Sequence, residues 1–478
     1  MDLRKIFNLI PEVKSPEEKK LSFKIKLKWT LIILVAFFVL ANVSLFGLSN
    51  NALERFEYLA MIMGTDFGSI ISLGIGPIVM ASIILQLLTG SGILNIDTTT
   101  VEGKKFFQGI QKLLVLFFII FEAMVYVLMQ GLQAMPGFAP LLILQLILGG
   151  LAIFYMSEVC DKWGFGSGIS LFIGAGIGWR IITSAFQFIN PQGKNCLLDF
   201  GRTACSGKIF VLIQSIINKY PIEFFSAAGA LLATTLIFLL VVWVQSLKVE
   251  IPLSYGRIRG YNVKWPLSFF YASVIPVILT AALIASTQLF GGILENAAAP
   301  CLAGGACTGL AKFASYFSFL GQFRDGQAIS GLAFWMGSTN LLELFIRGGF
   351  LPKYLLQGLT HMLFFMTFST IFAVFWVKTS GMDAKAQAHK IASSGLQVAG
   401  FRRDERILES ILNRYIMPLT VMGGLAIGLL ASITDLLGAL VSGTAILLVI
   451  MIMFQFYQNI AQQHMTDMNP MMRKFMGN

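Results

Sequence analysis

The side chains best suited to acid–base, nucleophilic or metal chemistry are few and scattered along the chain. The three histidines, His361, His389 and His464, are far apart, and no Cys/His pairs have the spacing of a zinc site. The nucleophile motif GxSxG, the zinc motif HExxH and the phosphate-binding motif GxxxxGKS/T are absent. The sequence therefore argues against an enzyme, and it predicts no metal site and no cofactor.

Two ionisable side chains nevertheless lie within apolar segments, Glu122 and His361. Because a charge in the bilayer core is costly, such residues are functional candidates by default. The alternative is that each is a hydrogen-bond partner between helices. The scarcity of acidic residues in the apolar segments also argues against a proton-driven or sodium-driven pump, which needs carboxylates to carry the coupling ion.

The elements that carry these side chains are predicted membrane spans. Hydrophobic residues make up 56% of the 478 residues and charged residues 12%, and the mean hydropathy is +0.76. This composition is too apolar for a water-soluble enzyme, and repeated apolar runs are long enough to cross about 30 Å of hydrocarbon. The ten predicted spans are residues 29–48, 70–89, 108–132, 138–157, 168–189, 223–246, 266–289, 354–377, 411–433 and 437–456.

The second predicted span begins with a break in its apolar pattern at Gly74, Gly76 and Pro77. Glycine permits backbone angles that other residues resist, and proline removes a hydrogen-bond donor. Irregular backbone at membrane depth is tolerated only against protein or a water-filled space. The second span is therefore expected to line a path.

Basic residues are concentrated on one side of the predicted membrane. Ten spans place both termini on the same side, and most of the 35 Lys and Arg residues fall in the segments on that side. Because basic flanks of short loops stay in the cytosol, both termini are expected to be cytosolic. This asymmetry accounts for most of the net charge of +11 without a nucleic-acid ligand, and we find no pattern of a secretory signal.

The predicted chain consists of a lead-in and two halves. Residues 1–28 have apolar and basic residues at helical spacing, which indicates an amphipathic segment on the cytosolic membrane surface. Residues 29–220 contain spans 1–5, and residues 221–478 contain spans 6–10. Pro77-Ile78-Val79 is echoed 199 residues later by Pro276-Val277-Ile278. Five spans per half is the odd number that an inverted repeat needs, and chance similarity between apolar helices is the alternative.

A short apolar stretch, residues 56–64, lies between the first two spans. It is too short to cross the bilayer and runs directly into the glycine-broken second span. The stretch predicts a re-entrant element. A surface helix that covers the outer mouth is the alternative.

Four of the five cysteines fall in two predicted outward loops. Cys196 and Cys205 share one loop, Cys301 and Cys307 share another, and Cys160 lies at a cytosolic edge. An oxidising exterior would allow two local disulfides. Because the geometry of each loop decides whether a bond can form, small residues left as thiols are the alternative.

Two predicted cytosolic loops, residues 248–265 and 379–413, are basic and contain glycine turns. Exposed arginines on such loops can bind RNA phosphates or the carboxylates of a protein partner. The alternative is that the basic residues lie there only because short cytosolic loops of membrane proteins are generally rich in Lys and Arg. The arginines concerned are Arg257, Arg259, Arg402 and Arg403.

Seven short motifs, spread over nearly the whole chain, are shared with one known family. They are LGIGPIV at 73–79, GSGISLFI at 166–173, VEIPL at 249–253, IPVIL at 275–279, FWV at 375–377, GFR at 400–402 and PLTVM at 418–422. Together they resemble the SecY-type protein-conducting channel, the large subunit of the secretory translocon, in its archaeal form.

The resemblance implies an all-α polytopic membrane protein with ten transmembrane helices in two pseudo-symmetric, inverted five-helix halves. These halves would form a clamshell around an hourglass pore, with a re-entrant plug helix. A narrow apolar ring at the waist offers ions no substitute for their hydration, yet it can deform around a polypeptide. The implied ring positions are Ile75, Val79, Ile169, Ile173, Ile278 and Leu448.

The resemblance also implies a plug and a ribosome-docking surface. The plug corresponds to about residues 56–69, with Gly64 and Gly68 as pivots, and the docking surface to the four arginines of the cytosolic loops. The plug residues are Phe56, Tyr58, Leu59, Met61, Ile62, Gly64, Phe67 and Gly68.

A lateral gate is implied between the second, third, seventh and eighth spans. Met80 and Ser286 stand where relatives often carry Thr and Asn, and Gln86 remains. The polar contact across the closed gate is therefore expected to be weaker in this chain.

The function implied is that of the pore-forming subunit of a protein translocation channel in the cell membrane of an archaeon. It would pass unfolded secretory proteins across the membrane and release hydrophobic segments laterally into the bilayer. The implied partners are two small single-span subunits (a SecE-like and a beta-type subunit), the ribosome, signal sequences, nascent polypeptide clients and membrane lipids. The alternatives are a secondary transporter with a polar pocket at mid-membrane, and an insertase or scaffold without a through-pore.

Overall fold

The described part of the chain is mostly helical in the computed structural model. Ten longer helices are α1 (Phe23–Ala41), α2 (Gly76–Gly90), α3 (Val101–Leu128), α4 (Ala139–Trp163), α5 (Gly168–Phe186), α7 (Pro221–Gln245), α8 (Ile275–Leu302), α11 (Pro352–Thr379), α13 (Glu405–Leu437) and α14 (Gly443–Met468). Shorter helices are α6 (Lys208–Asn218), α9 (Leu332–Met336), α10 (Leu341–Ile346) and α12 (Ala384–Ser393). The described residues are 11–17, 21–51, 67–90, 93–94, 96, 100–129, 131–189, 195–196, 205–255, 262–272, 275–302, 312–313, 315–324, 327–393, 396–398 and 404–468.

Eight helices in these ranges are long and apolar enough to cross a membrane, so the chain is a multi-pass membrane protein. The eight are α3, α4, α5, α7, α8, α11, α13 and α14. Helices also overlap the first two predicted spans, but α2 has only 15 residues and the first turns of α1 carry three lysines. Because 15 residues of helix extend about 22 Å, α2 alone is shorter than the hydrocarbon core.

Helix ends follow from local capping chemistry. Thr100 Oγ1 accepts a hydrogen bond from Gly103 N (3.1 Å) at the start of α3, and Asp404 Oδ1 accepts one from Arg406 N (3.0 Å) at the start of α13. Each bond satisfies a backbone donor that the helix leaves free. At the other end of α13, Gly438 has φ +60°, the left-handed conformation that favours glycine.

The all-α expectation is wrong in one respect, because three short antiparallel sheets connect the helices. One joins β1 (Leu48–Asn51) to β2 (Leu132–Ala134), and another is the hairpin of β5 (Gln322–Arg324) and β6 (Gln327–Ser330). The third has the order β4-β3-β7, from β3 (Lys248–Tyr255), β4 (Asn262–Ser268) and β7 (Leu396–Val398).

The two predicted cytosolic loops contain regular structure and pair with each other. Residues 248–265 lie mostly in the hairpin of β3 and β4, and residues 379–413 contain α12, β7 and the first turns of α13. Leu253 in β3 opposes Val398 in β7, which joins the two segments. The pairing of β3 with β7 was not predicted from the sequence, because it links residues far apart in the chain.

A second hydrophobic core, separate from the main one, supports this sheet. It joins the sheet to α12 and the adjoining ends of α11 and α13, and it includes Ile251, Leu267 and Leu412. The Tyr271 hydroxyl donates a hydrogen bond to the Met382 carbonyl oxygen (2.7 Å). Burial, with the nearby charge of Asp383, raises the pKa of Tyr271, so the hydroxyl keeps its proton and remains a donor.

The main core is formed by the spans. Most side chains of α8 are buried, and this helix contacts α2, α11 and α13. Helices α11 and α13 pack closely at Gly424 and Gly428, where a Cβ would lie 2.9 Å from Thr370 Cα and 2.6 Å from Met366 Cα. Small residues four apart permit such backbone approach in membranes.

The lead-in, residues 1–28, was predicted as an amphipathic surface segment. Of its described residues, 11–17 have no regular secondary structure and 23–28 form the first turns of α1. Residues 11–17 are held to α3 and to the last turns of α4 by alternating charges. Glu12 lies 2.7 Å from Lys162 Nζ and 3.3 Å from Lys112 Nζ, and Lys112 lies 2.7 Å from Glu158. The hydrogen bond from Lys162, with a smaller contribution from Lys112, lowers the pKa of Glu12 despite its partial desolvation.

Candidate functional site

A cavity of about 380 Å³ lies between α2, α3, α5, α8 and α11. Its walls combine aliphatic side chains at one level with polar side chains at another. Six of its lining residues are Val79, Ser82, Gln86, Gln111, Ile169 and Ile278. The cavity therefore joins three of the predicted ring residues to a polar wall and to the four helices predicted to form the gate.

All six predicted ring residues belong to, or pack against, one buried apolar cluster. Ile169 is partly buried, and the other five expose no more than 3% of their surface. They come from the start of α2, from α5, from α8 and from α14, which are distant in sequence. The side chains are thus turned into the protein and not towards lipid.

The helix starts that carry two of these ring residues correspond across the sequence repeat. Helices α2 and α8 begin at Gly76 and Ile275, which are 199 residues apart, and each has proline at its second position. The sequence echo thus marks the same point of two neighbouring helices. Proline suits the first turn because no intrahelical acceptor is available to its nitrogen there.

The predicted gate helices are in contact, since α2 packs against α8 and α11, and α8 against α11. Met80 is half-buried, whereas Gln86 and Ser286 are buried. Gln111 Nε2 on α3 donates a hydrogen bond to Ser82 Oγ on α2 (2.8 Å), and Gln86 Oε1 has no hydrogen-bond partner within the described ranges. Sequence reasoning missed Ser82 and Gln111, although both are polar residues in predicted apolar runs.

Most of the predicted plug, including Phe56, Tyr58, Leu59, Met61, Ile62 and Gly64, lies outside the described residues. Phe67 and Gly68 are described at the entry to α2. The Phe67 ring lies 6.5 Å from that of Tyr126 in α3, and Gly68 has φ +97°. Gly68 N donates to Ser72 Oγ (2.9 Å), and its carbonyl oxygen accepts from Leu45 N (2.9 Å). These contacts fix the end of the predicted plug to the turn before α2 and to the chain after α1.

The four predicted ribosome-contacting arginines, Arg257, Arg259, Arg402 and Arg403, also lie outside the described residues. The strands that precede and follow them are described. Arg257 and Arg259 fall between β3 and β4, and Arg402 and Arg403 fall between β7 and α13. Because β3 pairs with both β4 and β7, the ends of the two arginine-bearing connections are held on one sheet.

The two ionisable residues within spans have different surroundings. Glu122 in α3 is buried, and its Oε2 has no hydrogen-bond partner in the described part of the chain. His361 in α11 donates from Nδ1 to the Met336 carbonyl oxygen (2.7 Å), and its Nε2 lies 3.4 Å from Asp435 Oδ2. Asp435 also accepts from the Thr444 N–H (2.6 Å) and hydroxyl. His361 thus links α11 to α9 and α13, and Asp435 links α13 to α14, which fits the alternative that His361 is an interhelical partner.

The cysteine pairs are placed as follows. Cys196 and Cys205 form a disulfide with a Cα–Cα distance of 5.4 Å. Cys301 lies in the last turn of α8, with its side chain outside what is described, and Cys307 lies outside the described residues. Cys160 is a buried thiol. Within the described ranges no three His, Cys, Asp or Glu side chains could hold a metal ion.

Comparison with known proteins gives a consistent result over the length of the chain. The pattern of the SecY family matches residues 69–457. A protein named protein translocase subunit SecY from Methanothermobacter thermautotrophicus is 39% identical, with 99% of this chain and 98% of that protein aligned. The SecY of Methanococcus vannielii is 34% identical over 100% of both chains.

Two solved structures are similar in fold and sequence. One, described as the structure of a protein-conducting channel, has a TM-score of 0.81 and 33% identity and covers 98% of this chain and 99% of its own. The other, Sec61 in the canine ribosome-channel complex from the endoplasmic reticulum, has a TM-score of 0.77, 33% identity and the same coverage.

Proposed function

Because the chain belongs to the SecY family of protein translocase subunits, we propose that six aliphatic side chains close its translocation path at mid-membrane. The observation that carries this proposal is that Val79, Ile169 and Ile278, from three distant helices, line one cavity. Ile75, Ile173 and Leu448 are buried in the main core that these three residues also join. A narrow constriction of aliphatic side chains excludes hydrated ions, and it yields to a polypeptide because no fixed polar contact has to be broken.

Unfolded secretory polypeptides pass through this constriction, and hydrophobic segments leave sideways between the α2–α3 pair and the α8–α11 pair. The 380 Å³ cavity between these helices is the cytosolic entrance to that gate. The free energy of an apolar segment falls with each apolar residue that moves into lipid. With Met80 and Ser286 at the gate, few polar contacts oppose the separation of the two helix pairs. The Ser82–Gln111 hydrogen bond joins α2 to α3 within one pair, so it does not oppose this separation.

The plug is formed by residues 56–69 and closes the outer side of the constriction. Its described end turns at Gly68, where the positive φ and two backbone contacts make a fixed point. The preceding residues swing about this point when a polypeptide enters.

The polypeptide-delivering ribosome docks on the sheet of β3, β4 and β7, with Arg257, Arg259, Arg402 and Arg403 contacting RNA phosphates. The common sheet supports this proposal because it holds both basic connections on one platform. The Sec61 relative was solved as a ribosome-channel complex, which is a further support. Both termini and this sheet face the cytosol, and all ten longer helices cross the membrane, α2 together with the turn before it.

Two small single-span subunits, one SecE-like and one beta-type, clasp the channel. An apolar groove of about 630 Å³ between α5, α7 and α14 suits one such helix. Its walls include Ile181, Phe238, Val242 and Met453. The two SecY relatives compared above are archaeal, which supports a place in an archaeal cell membrane.

The proposal is tested by a photo-crosslinker placed at Ile278 in the membrane-embedded complex, with a ribosome-stalled secretory client as the probe. Leu232 in α7 is the matched control, because it is an aliphatic residue of a span that is 64% exposed on the lipid side. We expect an adduct from position 278 and none from position 232. A ribosome-bound client that gives no adduct at 278 would overturn the proposed path.

A second experiment distinguishes a channel from a scaffold without a pore. Deletion of residues 56–64 is expected to raise ion leak through reconstituted complexes, because the constriction then loses its plug. An unchanged leak from a deletion variant that still binds ribosomes would contradict the plug assignment.

A further inference from the structure

Helix α6, in the connection between the two halves of the chain, has its polarity reversed relative to a helix of a water-soluble protein. Its Ser215 is buried, at 4% exposure, while Ile213, Ile216 and Ile217 are 42%, 59% and 60% exposed. Exposed isoleucines three and four positions apart form one continuous stripe on a helix. We propose that this stripe lies among the acyl chains of the outer membrane leaflet and that α6 is an interfacial, lipid-docked helix.

The isoleucine stripe lies near the exposed apolar ends of the two spans that α6 connects. Phe186 ends α5 with 55% exposure, and Ile222 and Phe225 begin α7 with 55% and 59%. Helix α6 packs against both spans. Exposed apolar side chains thus lie on both sides of α6, with the exposed polar residues Gln187, Lys219 and Glu223 between them. Because the ends of the two spans lie at the membrane surface in the proposed topology, these polar residues are placed at the headgroups and lipid is the occupant that covers the apolar ones.

The length and ends of α6 fit a position along the membrane surface. Eleven residues of helix extend about 16 Å, which is half of the hydrocarbon thickness. Lys208 begins the helix, Lys219 follows it and Tyr220 comes next, 60% exposed. Basic and aromatic side chains at the ends of an apolar helix face are favourable at the lipid headgroups.

The connection holds α6 in this position by contacts that a mobile surface loop would not need. The Gly207 N–H donates to the Gln187 carbonyl oxygen (2.8 Å), and a Cβ at Gly207 would lie 2.8 Å from Gln187 N. The Cys205 N–H donates to Gln214 Oε1 (3.1 Å) in α6, and Cys205 is disulfide-bonded to Cys196. The disulfide and the polar side of α6 thus fix which face of the helix is left for the bilayer.

Because α6 lies between the fifth and sixth predicted spans, lipid docking would hold the connection of the two halves at the outer surface. This inference rests on the outward placement of the connection in the topology proposed above, and it is independent of what passes through the channel.

The test measures whether a nitroxide at position 216 contacts lipid or water. Ile216→Cys is made in a full-length chain carrying Cys160→Ala, Cys301→Ser and Cys307→Ser, labelled without reductant so that the Cys196–Cys205 disulfide does not react, and reconstituted into liposomes. Collision rates with oxygen, which partitions into lipid, are compared with those of a water-soluble nickel chelate. We expect oxygen to dominate.

Two labelled controls give the limits of the scale. Leu232→Cys in α7 supplies the lipid value, and Lys264→Cys in β4, whose side chain is 72% exposed, supplies the water value. Nickel dominance at 216, as at 264, would overturn the proposal, and so would low collision with both reagents, which would mean that protein covers the stripe. Ile217→Cys repeats the measurement if the first variant does not fold. A failed crosslink at Ile278 would leave these values unchanged, so the two proposals fail separately.

Discussion

A methyl group added at Gly149 tests how closely α4 supports the entry to α2. A Cβ at this position would occupy the place of the Ile70 carbonyl oxygen and would lie 2.8 Å from the Ile70 carbonyl carbon. Ordinary van der Waals contact begins at 3.4 Å, so the Ile70 carbonyl carbon must move by about 0.6 Å, and its oxygen, which lies nearer to the added Cβ, must move further. The turn from Ser69 to Gly74 is tied by its own hydrogen bonds, and it leads directly into Ile75, one of the proposed ring residues. A shift at Ile70 therefore reaches the proposed constriction.

The expected cost of Gly149→Ala is about 1–3 kcal/mol, the usual range for overpacking a close contact. If this cost falls on the closed state alone, the ratio of open to closed channels rises about 5- to 150-fold. We thus expect a lower unfolding temperature in detergent and a higher ion conductance of reconstituted channels in a planar bilayer.

Gly176→Ala in α5 is the matched control, because nothing lies within 4 Å of a Cβ at that position. Alanine favours the helix by about 1 kcal/mol over glycine, so this variant is expected to be as stable as the parent or more so, with the parent's conductance. Equal unfolding temperatures and equal conductances for the two variants would refute the packing argument for Gly149.

Three further predictions concern parts of the chain outside the constriction. Tyr271→Phe removes the hydroxyl bond to Met382 and is expected to cost about 1 kcal/mol, measured as faster hydrogen exchange in α12 but not in α4. The pKa of Glu12 is lowered in the folded chain by Lys162, so its stabilising contribution is present above the ordinary value of 4.5 and is lost as pH falls through the lower folded value. Hydrogen exchange of residues 11–17 should accelerate in that acidic window, with no such step in Glu12→Gln. Gly438→Ala forces a side chain into positive φ and is expected to lower the unfolding temperature, whereas an unchanged temperature would contradict the strain argument.

The positions of eight spans could be predicted because an apolar run of sufficient length is a local property of the sequence. The break before α2 could also be predicted, because glycine and proline change the conformation and hydrogen bonding of their own backbone. The ring residues were identified only through family motifs, because an aliphatic residue in an apolar helix gives no sign of which side it faces. Whether Ile75 and Leu448 meet depends on how α2 and α14 pack.

The contacts that the sequence left undetermined all join segments far apart in the chain. The pairing of Leu253 with Val398 joins two predicted loops in one sheet. Asp435 in α13 lies beside His361 in α11. The reversed polarity of α6 is of the same kind, because burial of Ser215 is decided by its neighbours α5 and α7. Hydrophobic length and turn chemistry thus determined the elements, and only tertiary packing decided which of their faces meet protein, lipid or the path.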